Sequence, residues 1–166
     1  VICEFVDNSL SNFRANSPSL RTVWITAEED ISKGTVTFSI EDTGTGVDDF
    51  DVAMKLGEKS GGTTQLNEHG FGLKHALATA NPTNDSWLIY TKTESDVKAA
   101  ECRLVGSPYT FTITPSIEPI ADWPGIATGT GTCVFFECER DLFDTVQSGI
   151  KGSAAFAKCL EYLAED

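Results

Sequence analysis

Four short groups of residues in this 166-residue chain carry side chains that could do chemistry. In "EFVDNS", Glu4 and Asn8 stand four apart, which places a carboxylate and an amide one above the other on a helix. A carboxylate there could take the proton of an attacking water, and the amide oxygen could complete the oxygen shell of a magnesium ion. In "SIEDTGTG", Asp42 ends an alternating strand and is followed by Gly44 and Gly46. A buried carboxylate accepts from a donor such as an exocyclic amino group, and glycines let the backbone approach a flat ligand. In "NEHGFGLK", His69, Gly70, Phe71 and Gly72 lead into a helix whose first turn holds Leu73 and Lys74. Backbone N–H groups at such a helix start favour anions, and Lys74 adds a positive charge. In "GTCVFFE", Gly131 and Thr132 open a strand.

Taken singly, each group has an ordinary structural explanation. The polar side of the first helix is a solvated face, Asp-Gly after a strand is a turn, and a glycine before a helix allows close packing. Lys74 alone is a solvated charge. Their common order at domain-scale spacing is what points to a shared site.

The elements that must position these groups follow from periodicity. Ile2, Phe5, Val6, Leu10 and Phe13 form an apolar helical stripe. "RTVWITAEE" and "GTVTFSIED" alternate and read as an antiparallel hairpin. A weaker helical stretch, "DFDVAMKLG", precedes the unpatterned, small and polar "EKSGGTTQLNEHG", expected to be a mobile loop. "GLKHALATAN" reads as a short helix with Leu73, Leu77 and Ala80 on one face, stopped by "NPTND". Four further strands, "SWLIYTKTE", "VKAAECRLV", "YTFTITPSI" and "GTCVFFECE", precede two short helices broken at Gly149 to Gly152. The expected class is α+β, a two-layer α/β sandwich with a mixed, mostly antiparallel sheet and helices on one face.

Composition narrows the function. The net charge of −13 argues against this domain gripping a nucleic-acid backbone by itself. No apolar run is long enough to span a bilayer and no signal-peptide pattern is present, so a cytoplasmic location is expected. The five cysteines show no zinc-type pairing and are expected to be buried free thiols. The chain starts and stops within helical patterns, so residues 1–166 are expected to be a single domain cut from a longer protein.

The ordered set resembles the GHKL superfamily, the ATPases shared by type II topoisomerases, MutL, the ninety-kilodalton chaperones and histidine kinases. Glu4-Phe5-Val6-Asp7-Asn8 is similar to its first box, Asp42-Thr43-Gly44-Thr45-Gly46 to its second, His69 to Lys74 to its third and Gly131 to Val134 to its last. "LGEKSG", "HGFGLKHAL" and "FAKCLEYLAED" look closest to the chaperone-like or MORC-type branch.

The resemblance implies a Bergerat fold that binds ATP with Mg2+ and hydrolyses it, driving a conformational change in a larger protein. It implies Glu4 as the water-activating base and Asn8 as the magnesium ligand. Asp42 would bind the adenine amino group, Thr132 would support it through a water, and Gly46 would let the base lie against the backbone. Residues from Gly70 to Lys74 would cradle the phosphates, with His69 at the end of a lid running from about Lys55. Asn67 and Thr43 depart from the commonest pattern. The partners implied are ATP and ADP, downstream domains of the same protein and an ATP-dependent second copy, with no membrane. The alternatives are a nucleotide-gated interaction module that never cleaves, a histidine-kinase catalytic domain and a purely structural domain.

Overall fold

The alternating strand "TVTFSIED" sets up the core. In the computed structural model it forms β2 (Thr35–Asp42), and every second side chain, Val36, Phe38, Ile40 and Asp42, is buried, as a half-buried strand requires. The structure describes residues 2–49, 53, 72–80, 87–94, 100–104, 111–114, 129–143, 154, 157, 158 and 161. The expected lid, His69, Gly70, Phe71, the Lys74 side chain and most of the two short helices expected at the C-terminal end lie outside these residues.

β1 (Val23–Asp30) pairs antiparallel with β2 from Val23↔Asp42 to Asp30↔Thr35. The hairpin loop is closed by Asp30, whose Oδ1 accepts from Ser32 N at 3.0 Å and Lys33 N at 3.1 Å. The Ser32 hydroxyl and these amides hold the Asp30 carboxyl below its ordinary range. The remaining strands are β3 (Trp87–Lys92), β4 (Ala100–Leu104), β5 (Phe111–Thr114) and β6 (Gly131–Glu139). All six expected strands are present, in the order β1-β2-β6-β3-β4-β5. Every described pairing is antiparallel, in keeping with the mostly antiparallel sheet expected. β6, last in sequence, sits between β2 and β3, setting Thr132 opposite both Asp42 and Thr91.

Two helices, α1 (Ile2–Asn16) and α2 (Gly72–Ala80), cover one face. Ile2, Phe5, Ala76 and Leu77 pack with Val36, Phe38, Ile40, Trp87, Ile89, Val134 and Phe136. The Phe136 ring stacks on Phe38 at 5.3 Å and meets Phe5 at 5.5 Å, tying helix to sheet. In α2, Ala76 is buried beside Leu77 while Leu73 is only partly so.

The stripe of α1 differs from expectation at one position. Leu10 is 39% exposed, whereas Ser9 is buried. At about 100° per residue, Ser9 stands between Phe5 and Phe13 at i±4, the centre of the buried side, and Leu10 falls at its rim. The cysteines also divide. Cys133 and Cys138 are buried free thiols but Cys3 is exposed, because position 3 points away from the sheet. After β6 a single 3-10 turn, Arg140–Phe143, follows.

Truncating the ring that joins both layers should be costly. Phe136→Ala is expected to lower unfolding free energy by about 3–5 kcal/mol, read by urea denaturation, whereas Phe135→Ala, on the exposed side of the same strand, should cost far less.

Candidate active site

Asp42 continues the apolar row of β2 but is a carboxylate, 8% exposed. Burying it without partners would cost several kcal/mol. Three donors answer that cost. Oδ1 accepts from Gly44 N at 2.9 Å and Thr132 N at 3.2 Å, and Oδ2 accepts from the Ser9 hydroxyl at 2.7 Å. Ser9 Oγ also lies 3.2 Å from the Phe5 carbonyl, but the shorter, charge-assisted contact is the stronger one. A carboxylate offers about four lone-pair sites, so roughly one acceptor position remains. Burial pushes the Asp42 pKa up, against these three hydrogen bonds. Thr132 therefore supports Asp42 directly through its backbone N–H.

The loop after Asp42 is held along its length. Thr43 N donates to Thr22 O at 3.1 Å, and the Thr43 hydroxyl donates to Leu20 O and accepts from Thr22 N, both at 2.9 Å. Thr130 Oγ1 donates to Gly44 O at 2.6 Å, and Val47 N donates to the Thr91 hydroxyl at 2.7 Å. Gly46 has φ +80°, the left-handed region that favours glycine, and a Cβ there would stand 2.5 Å from the Lys92 carbonyl oxygen. Gly46 is thus fixed by its neighbours as well as by any ligand.

On α1, Glu4, Asn8 and Asn12 form one i, i+4, i+8 row. Its ends reach two different motifs. A Cβ at Gly72, the first residue of α2, would collide with Glu4 Oε2, so the exposed Glu4 carboxylate lies directly against the helix start. Asn12 Oδ1 accepts from Thr45 N and its Nδ2 donates to Thr45 Oγ1, both at 3.0 Å. Asn8, half-buried, occupies the middle of the row, between the α2 start and the Asp42 loop.

The structure thus assembles Glu4, Asn8, Asp42, Gly44, Gly46, Gly72, Leu73 and Thr132 around the junction of α1, α2, β2 and β6. It adds Ser9, Asn12 and Thr91, which the motif reading passed over. Ser9 had a signal, a hydroxyl in the centre of an apolar stripe. Thr91 had none beyond strand propensity.

Cys133 lies on the opposite sheet face near Ser39; burial pushes its thiol up to about 12 and that of Cys138 to about 11. Neither is a nucleophile near neutral pH. Glu41 is also raised by burial and faces away from Asp42's side. Among the described residues no group of three or more His, Cys, Asp or Glu side chains could hold a metal, and no helix is long and apolar enough to cross a membrane.

Residues 1–138 match the family described as histidine kinase-, DNA gyrase B- and HSP90-like ATPase. The chain belongs to this family. The match spans all the assembled motifs, including Gly131–Val134. No curated protein sequence matches the chain. Among solved structures it is similar to the ATPase and transducer domains of DNA topoisomerase II from Balamuthia mandrillaris (TM-score 0.52, 14% identity, 93% of this chain and 41% of that one). It is also similar to the ATPase region of Saccharomyces cerevisiae topoisomerase II bound to ICRF-187, dexrazoxane (TM-score 0.53, 13% identity, 95% and 41%). At this identity the likeness establishes the fold, and this ATPase-family domain spans about two-fifths of those chains.

Removing the charge at position 42 separates stability from binding. Asp42→Asn can keep an oxygen for the Gly44 and Thr132 amides, while its NH2 can donate to Ser9. Because the folded Asp42 pKa is raised, the folded state binds its proton more readily than the unfolded one. The resulting penalty is absent below the ordinary value of 3.8 and grows as pH rises through the folded value. The Asn variant should therefore equal or exceed the wild type in melting temperature at pH 7, and that gap should close as pH falls towards 3.8. Thermal melts of both proteins across this range measure it; a gap that widens on acidification would show that Asp42 is stabilised, not penalised, as an anion.

Proposed function

We propose that this domain binds ATP with Mg2+ and hydrolyses it, as the nucleotide-driven part of a longer protein. The observation that carries the reading is Asp42, a buried carboxylate with three protein donors and capacity for one more. The adenine amino group is a donor of the right kind, whereas guanine presents a carbonyl at the matching position. The family membership of residues 1–138 supports the same reading.

The residues fit the implied ligand. Gly44 and Gly72 leave room for the Asn12 amide and the Glu4 carboxylate beside the site, and the start of the nine-residue α2 favours a negatively charged group. Asn8 would supply one oxygen to Mg2+, which ordinarily takes few protein ligands beside phosphates and waters. The bound ion would neutralise charge on the phosphate oxygens. Glu4, held against the α2 start, would orient a water and take its proton. His69, Gly70, Phe71 and Lys74 are proposed for the phosphate side on the motif alone. The nearer kinship to the chaperone-like or MORC-type branch, the ATP-dependent dimer and the cytoplasmic location are likewise proposals resting on the sequence.

Two measurements on the full-length protein test this. ADP should bind by calorimetry with clear preference over GDP, since an unmatched buried carboxylate costs about 1–3 kcal/mol; equal affinities would remove Asp42 from base recognition. Glu4→Ala should lower turnover by ~10²–10⁴-fold while ATP affinity stays near wild type. Unchanged slow turnover would instead make the domain a gated binding module.

A further inference from the structure

We infer that Asn12 is a positioning residue, which fixes the base-reading loop to the helix carrying Glu4 and Asn8 so that recognition and catalysis share one frame. The inference rests on the nucleotide-binding reading above and concerns how that site is held.

The contacts are specific. Asn12 uses both ends of its carboxamide on one residue, accepting from Thr45 N and donating to Thr45 Oγ1 at 3.0 Å each. Two-point pairing of this kind fixes orientation as well as distance. A Cβ at Gly44 would stand 2.5 Å from Asn12 Oδ1 and 2.9 Å from its Cγ. Gly44 and Asn12 are therefore matched, the missing side chain of one making room for the amide of the other. The hydrogen bonds of Thr43, Gly44 O and Val47 tie the loop to β3, to Thr130 and to the segment after α1. Asn12 ties it to α1 itself, two turns along the same face from Glu4.

Ser9 makes the second link from α1, to the Asp42 carboxylate. With Ser9 holding the reading group and Asn12 holding the loop backbone two to three residues later, Asp42 and the Glu4–Asn8 pair cannot shift independently. A half-buried Asn whose only role was stability would affect all ligands alike. A positioning role predicts a change in discrimination.

The test uses the full-length protein, three single variants and one double variant, with ADP and GDP titrations, steady-state ATP turnover and thermal melts. Asn12→Leu removes both bonds. It should weaken ADP about tenfold, in keeping with the loss of two neutral hydrogen bonds, raise KM for ATP by a similar factor and shrink the ADP-over-GDP preference. Asn12→Asp keeps the acceptor for Thr45 N and can accept from the Thr45 hydroxyl, so it should restore most of the preference. Thr45→Val keeps the backbone donor, should lose less than Asn12→Leu, and should add little to it in the double variant. Asn12→Leu discriminating ADP from GDP as the wild type does would overturn the inference. So would equal losses for both nucleotides with no rescue by Asp. Failure of the wild-type protein to bind ADP would instead overturn the nucleotide reading beneath it.

Discussion

The buried Asp42 carboxylate is the constraint on which the rest of the site depends. Its charge is expensive away from water, and burial raises its pKa accordingly. The three donors that offset this come from three places in the chain: Ser9 of α1, Gly44 of the following loop and Thr132 of β6. Asp42 is satisfied only when α1 has docked and β6 has entered the sheet beside β2. A site that must take up a ligand's donor keeps an acceptor in reserve, and a carboxylate with three partners does so. The incomplete satisfaction that burdens stability is therefore the same property that leaves the group able to accept a further hydrogen bond.

Close backbone approach is the second physical theme. Gly44 yields space to Asn12, Gly72 yields space to Glu4, and a Cβ on Gly131 would run into the Asp42 carbonyl. In each case the absent side chain brings two motifs into contact. The glycines thus serve tertiary packing as much as ligand access. This bears on Gly46, expected to accommodate a base: its left-handed φ and tight contact with Lys92 are demanded by the protein alone.

Hydroxyl groups do much of the wiring. Ser9, Thr43, Thr91 and Thr130 join Asp42 and the loop after it to α1, to the segment after α1, to β3 and to the residue before β6. Individually each is worth about 1 kcal/mol, so the loop's definition comes from many modest restraints. A hydroxyl that both donates and accepts suits this role, as Thr43 does between Leu20 O and Thr22 N.

Much of the fold was legible because local patterns were strong. Alternation in "TVTFSIED" marked that strand and its buried face, "GTCVFFECE" read as a strand, and the i, i+4 spacing of Glu4 and Asn8 placed them on one side of α1. The motif order likewise pointed to the ATPase family that residues 1–138 match. Periodicity could not, however, say that β6 would lie between β2 and β3, because strand order is set by long-range pairing. Nor could it show that Ser9 outranks Leu10 for the buried centre, since that depends on where a particular carboxylate lies. Asn12 and Thr45 are 33 residues apart, and nothing in the sequence links them; only the docking of α1 over the sheet gives them to each other. Local sequence determined the elements and their chemistry, and tertiary structure decided which groups are within a hydrogen bond's reach.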